Sequence, residues 1–245
     1  MDRRKFIKNS LGLLGACAFP STAFGSSDFY IDDKSLFDST FSKLKAVQSH
    51  IGFGYFNIIS FDEVLKIARN SKIGAFNTAQ INFMDFMFSE DPKKYGFYGR
   101  KTCDRLTSAI NKKDIVKIPR TGHYLFKGLP YDVYTRLVKD VGDTLFLTSG
   151  VRSVPKQMYL YMNKIKNSSY NISKASFSLA PPAHSYHSIG DFDVGKHGFG
   201  ALNFTEEFIK TDEFKKLIEL EYVSIRYTKK NLDGVRFEPW HVQIN

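Results

Sequence analysis

The chain has 245 residues, 42% of them hydrophobic, with 23 Phe and 13 Tyr; this suffices for a Phe-rich core and excludes general disorder. A formal net charge of +10 favours anionic surroundings such as cell wall or membrane surface, but no Lys/Arg block is interleaved with aromatics in a nucleic-acid motif, so nucleic acid is set aside as a partner. The two cysteines, Cys17 and Cys103, cannot form a thiolate metal cluster, and no intramolecular disulfide is expected in a mature chain.

Residues 1–25 read as an export signal: a basic start, an apolar stretch from Leu11 to Phe19, then small residues through Gly25. The apolar stretch is too short to span a bilayer, so no transmembrane span is expected in the mature protein. Arg3-Arg4-Lys5-Phe6-Ile7-Lys8 resembles a twin-arginine signal with Asp2 in place of the usual Ser or Thr. Cleavage is expected after Gly25. Leu14-Gly15-Ala16-Cys17 also resembles a lipobox, which makes lipidation at Cys17 the alternative. The expected location is the periplasm or cell envelope.

Residues 28–118 read as a helical N-terminal region. Ser60-Phe61-Asp62-Glu63 has capping-box spacing and opens a helix through Ile67 and Ala68. Asn77 to Phe88 carries Ile81, Met84 and Phe88 at helical spacing, a core-facing stripe. Lys101 to Ile110 reads as a further short helix. After Pro119 the pattern changes. Tyr131 to Val141 and Lys156 to Ile165 read as helices, with Thr144 to Thr148 a short buried strand between them. Phe192 and Val194 alternate with Asp191 and Asp193, as on a half-buried strand. Thr205 and Thr211 suit the N-caps of two successive helices. Val223 to Tyr227 and Val242 to Ile244 read as closing strands. Strands and helices do not alternate regularly, so the expected class is α+β, a small antiparallel sheet flanked by helices, carried by residues 119–245.

Two segments gather metal-binding side chains. Ser185-Tyr186-His187-Ser188-Ile189-Gly190-Asp191-Phe192-Asp193 offers an imidazole and two carboxylates, and Glu238-Pro239-Trp240-His241 offers one of each. Without thiolates, zinc takes imidazole nitrogen and carboxylate oxygen, and catalytic sites use three protein ligands, an open position and a base. Gly190 permits a tight turn between His187 and the aspartates. Asp191 and Asp193 would share one face of a strand, so spacing alone does not choose between them. His50 and His123 read as structural, and His184 and His197 as flanking groups.

Ser185-x-His187-x-x-Gly190 followed by Asp193, with Glu238-Pro239-Trp240-His241 downstream and Ser149-Gly150-Val151-Arg152-Ser153 then Gln157 upstream, resembles the VanY-type D-alanyl-D-alanine carboxypeptidases of the LAS group of zinc peptidases. The resemblance covers about residues 119–245. One residue fewer than usual separates Gly190 from the aspartate; aligning Asp193-Val194 with the family pattern favours Asp193 over Asp191. The resemblance implies Zn2+ held by His187, Asp193 and His241. It makes Glu238 the general base, Arg152 the group that stabilises the polarised carbonyl oxygen, and Ser185, Gln157 and Ser153 the lining of the substrate site. It further implies peptidoglycan peptides as substrate. Cleavage of D-alanyl-D-alanine is the first expectation. A D,D- or L-Ala–D-Glu endopeptidase, and a non-catalytic wall-binding protein that keeps the zinc fold, are the alternatives. Nothing in the sequence fixes the oligomeric state.

Overall fold

Most of the helices begin where polar side chains take up otherwise unpaired backbone amides. The computed structural model describes residues 6–10 and 28–244; Arg3, Arg4, Cys17 and the expected cleavage point lie outside them. Helix α1 (Lys34–Ile51) is capped by Asp33, and α2 (Phe53–Phe56) follows it directly. Helix α3 (Phe61–Arg69) has the full capping box expected from the sequence, Ser60 and Glu63 each satisfying the other's backbone N–H. Helix α4 (Thr78–Ser89) has a second one, built from Asn77 and Gln80. Phe37, Leu44, Phe56, Val64, Phe83 and Met84 fill the core between these helices.

Helix α6 (Val154–Asn167) buries Met158, Tyr161, Met162 and Ile165 in that same core. The N-terminal helices therefore pack directly on the element that carries Gln157 and Lys156. Strand β1 (Ile7–Ser10) pairs antiparallel with β2 (Asp28–Ile31), and Phe6 beside it is buried against Phe83 and Phe86, ring centroids 5.5 and 5.2 Å away.

The remaining elements form the second half. Strands β3 (Ile115–Lys117) and β4 (Tyr124–Phe126) make a hairpin that leads into α5 (Leu129–Val141). Strand β5 (Leu145–Ser149) precedes α6, which is followed by the short α7 (Ile172–Ser176). Strand β6 (Phe192–Lys196), helix α8 (Asp212–Ile218), β7 (Ser224–Ile225) and β8 (His241–Gln243) complete the chain. The sheet is antiparallel with order β5-β6-β8-β7. Its core is Leu145, Leu147, Phe192, Val194, Trp240 and Val242, closed by Leu137, Phe208 and Leu217. This is the α+β arrangement expected from the sequence. Thr205 and Thr211 both cap, the former a 3-10 turn rather than an α-helix.

Two expectations are corrected. Lys101 to Ile110 is not helical. The Thr102 and Cys103 amides both donate to the Ala183 carbonyl, at 2.9 and 3.1 Å, so long-range bonds replace the helical ones. Strand β6 is buried along both faces from Phe192 to Gly195, not half-buried. Ion pairing makes the burial of its acidic end tolerable. Among the described residues, no helix is long and apolar enough to cross a membrane.

Candidate active site

Sheet register creates the site. Ser149 of β5 pairs with Asp193 of β6, and Asp193 with His241 of β8, so the three lie in one row across adjacent strands. A register shift between Leu147 and Ser149 marks the end of regular pairing on β5, the kind of irregularity that re-aims side chains beside functional sites. His187 arrives from outside the sheet, on a 3-10 turn (Tyr186–Ser188). Gly190, at φ +128°, turns the chain from there into β6, a conformation L side chains resist.

One ligand atom each from His187, Asp193 and His241 lies within 4.8 Å of the others, and all three residues are buried. Asp193 Oδ2 is 3.3 Å from His187 Nε2, and Oδ1 is 3.2 Å from His241 Nδ1. Yet neither His187 Nε2 nor Asp193 Oδ1 makes a hydrogen bond to the protein. Buried polar atoms left without partners are costly, and two of them facing one point fit a cation there. The adjoining cavity, about 20 Å³, has room for a single water-sized occupant.

Both imidazoles are held by their far nitrogens. His187 Nδ1 is 2.8 Å from the Gly150 carbonyl, to which it can only donate, leaving the Nε2 lone pair turned inward. Gly150 itself is required by close approach: a Cβ there would stand 2.0 Å from the Tyr124 carbonyl oxygen. His241 Nε2 is 3.1 Å from Asp191 Oδ2, leaving Nδ1 turned inward. Asp191 is in turn held by Arg226, whose Nε and Nη2 donate at 2.7 and 3.0 Å, and by the Ile244 amide at 2.9 Å. The geometry therefore separates the two aspartates. Asp193 faces the cluster, while Asp191 stands behind His241.

Charge is distributed unevenly over the site. Burial alone would raise the Asp193 carboxyl, but His187 and Arg152 hold it well below the carboxylate range. Arg152 Nη2 donates to Asp193 Oδ2 at 2.5 Å and Nε to Ser149 Oγ at 2.8 Å. Burial and then Arg152 push His187 down to about 4, so it is neutral and able to donate a lone pair. Glu238 shows the opposite behaviour. Burial raises its carboxyl to about 7, Asp193 adding to burial and His241 opposing it. Its Oε2 is 3.8 Å from His241 Nδ1. A carboxylate poised near neutrality beside a cation-binding cluster is suited to proton transfer.

The other residues singled out in the sequence divide. Ser185 and Gln157 line the same small cavity as Glu238, Arg152 and the two histidines. Gln157 Nε2 donates to the Ala180 carbonyl at 2.7 Å. Ser153 Oγ caps α6, and the residue lines a different pocket that also includes Arg152. His184 is tied to the Gly99 carbonyl at 3.1 Å, and His197 stacks on Phe146 at 4.1 Å. Neither meets the cluster. Arg226 was not singled out, though a charge inside the apolar run Val223 to Tyr227 is the signal that could have found it.

The site falls inside one family match. Residues 133–244 match the VanY family, D-alanyl-D-alanine carboxypeptidase. The VanY-type segment thus contains every residue of the cluster together with Glu238 and Arg152. Solved structures similar to the chain include a vancomycin-resistance D,D-pentapeptidase VanY from a VanB-type resistance cassette in complex with Zn(II), at 22% identity and a TM-score of 0.42, over 53% of this chain and 76% of that one. They also include the LdcB LD-carboxypeptidase, at 22% and 0.45 over 55% and 69%, and VanYB in complex with D-alanine-D-alanine, at 22% and 0.42 over 53% and 75%. No curated protein matches the chain.

The Asp191–Arg226 pair predicts a specific effect. Asp191→Asn is expected to weaken metal affinity about 10–100-fold, the usual consequence of losing a partner behind a metal-binding imidazole. Competition against a chromogenic chelator measures it; unchanged affinity would detach Asp191 from the site.

Proposed function

We propose that the protein is a zinc-dependent peptidase that hydrolyses peptidoglycan stem peptides, with the D-alanyl-D-alanine bond as first substrate. The VanY match supports a peptidase acting on peptidoglycan-related peptides. The observation that carries the finer reading is the convergence of His187, Asp193 and His241 with the buried Glu238 carboxyl beside them, 3.8 Å from His241 Nδ1. A structural metal site has no use for such a carboxylate, which favours catalysis over a wall-binding role. The export-type start of the sequence agrees with a substrate outside the cytoplasm.

His187, Asp193 and His241 would hold the zinc ion, which would supply Lewis acidity and lower the pKa of a coordinated water to about 7. Glu238 takes the proton from the attacking water as it adds to the amide carbon, and later returns it to the leaving amine. Arg152 stabilises the developing oxyanion. Among the described residues its Nη1 has only a long contact, 3.5 Å to Gln157 Oε1, so this edge of the guanidinium is available to substrate. Ser185 and Gln157 line the same small cavity as Glu238 and Arg152, and would touch the scissile amide of a bound peptide.

Incubation with pentapeptide muropeptides, followed by mass spectrometry, tests the proposal. Loss of one terminal alanine is expected. Activity is expected to disappear on chelation and to return with zinc. Release of a fragment from inside the peptide would shift the assignment to an endopeptidase, and zinc-loaded protein inert on every muropeptide would sink the proposal.

A further inference from the structure

A second compartment opens next to the metal cluster. A cavity of about 300 Å³ shares Arg152 and Leu179 with the small cavity that holds His187, His241 and Glu238. Its walls carry three cationic side chains, Arg152, Lys156 and Lys164, and no acidic one. Arg152 is neutralised by Asp193. Among the described residues neither lysine has a carboxylate partner: Lys156 Nζ reaches the Gln48 amide oxygen, at 3.5 Å, and lies 5.9 Å from the centre of the Tyr159 ring, while Lys164 senses Arg236 and Glu238 without pairing.

Lys156 is expensive to keep there. The residue is 9% exposed, and burial followed by Arg152 pushes its ammonium down to about 8. It also sits in the first turn of α6, three residues after the cap Ser153, where the helix macrodipole disfavours a cation. A buried cation without a counter-ion, at the wrong end of a helix, is not explained by stability. An arriving anion would be favoured by all three effects. Thr148 Oγ1, on the same wall, is buried without a hydrogen-bond partner and offers a donor.

We propose that this compartment is a subsite for a carboxylate of the substrate peptide, bound by Lys156 and Lys164 next to Arg152. The proposal rests on the peptidase reading and deepens it: Lys156 and Lys164 set a preference for stem peptides that present a free carboxylate to this compartment. Two carboxylates have the required chemistry, the C-terminal one and one carried within the stem.

Three probes separate them: a synthetic stem pentapeptide with all carboxylates free, the same peptide amidated at its C-terminus, and the same peptide amidated at its internal carboxylates. Zinc-loaded wild type and Lys156→Met are compared on each. Lys156→Met is expected to lower kcat/KM for the free acid about tenfold or more, mainly through KM, as for a lost hydrogen bond between charged groups. The penalty is expected to vanish on whichever amide removes the bound carboxylate. Equal penalties on all three peptides, or none on any, would overturn the subsite. Calorimetric binding of the same peptides to Glu238→Gln and to Glu238→Gln/Lys156→Met keeps this separate from catalysis. Wild type that cuts no peptide, while Lys156→Met still weakens binding of the acid alone, would sink the peptidase reading and leave the subsite. No discrimination between acid and amides in binding would sink the subsite. Melting temperature checks that the Lys156→Met variant is folded.

Discussion

Replacing Glu238 by Gln is expected to lower kcat on a muropeptide substrate by about 10²–10⁴-fold, the range for loss of a positioned general base, with zinc content and fold unchanged. The reasons are geometric and electrostatic. Glu238 is 8% exposed, and its carboxyl lies 3.8 Å from the inward nitrogen of His241, close enough to serve a water at the cluster. Burial holds it near neutrality, where an acid can both accept and return a proton. Gln keeps the size and the hydrogen-bonding reach but cannot take the proton. KM is expected to change little, because the proton moves in the transition state and not on binding. Steady-state kinetics with zinc determined on the same sample checks this, and full activity in Glu238→Gln would sink the mechanism.

Asp193→Asn is the second large effect. Asp193 serves two groups at once, the imidazole cluster and the Arg152 guanidinium at 2.5 Å, with Arg152 only 10% and Asp193 4% exposed in their side chains. Asn removes the negative charge from both. Breaking a buried ion pair from one side costs about 3–5 kcal/mol, because the remaining charge is stranded. The same change removes the anionic member of the metal set, leaving two neutral imidazoles to hold a dication. The expected outcome is a protein that melts well below wild type and does not retain zinc through gel filtration. Adding zinc is expected to raise the melting temperature of wild type, since a ligand that binds only the folded state stabilises it, and to leave Asp193→Asn where it was. Thermal melts with and without zinc distinguish these outcomes; a zinc-dependent shift of equal size in both proteins would show that Asp193 is not a ligand.

The sequence carried those parts of the fold and site that depend on local chemistry. Helix α3 begins at Ser60 because capping is a contact over three residues, visible as spacing, and α4 is legible from its apolar stripe, its Asn77–Gln80 cap being added by the structure. His187, Asp193, Glu238 and His241 stand in two short segments whose residue types are those zinc sites use; the structure clusters the two histidines with Asp193 and sets Glu238 3.8 Å from His241. What could not be read depends on distant partners. Asp191 and Asp193 are indistinguishable by spacing; Arg226 and the Ile244 amide, reached only in the folded sheet, draw Asp191 behind His241. Lys101 to Ile110 has helical composition but spends its amides on Ala183, 81 residues away from Thr102. Lys156 lies on a helix that the sequence does show, but its burial depends on α1 packing over α6 and bringing Gln48 to it. That the N-terminal helices share one core with α6 depends on contacts between distant segments, which no local pattern shows.

Zinc stoichiometry bears most directly on the central claim, that His187, Asp193 and His241 form a catalytic metal centre. Elemental analysis of purified wild type after dialysis is predicted to give one zinc per chain, against a value near zero for Asp193→Asn treated alike. Equal zinc in the two proteins, or none in a wild type that hydrolyses the pentapeptide at full rate in chelator, would contradict it.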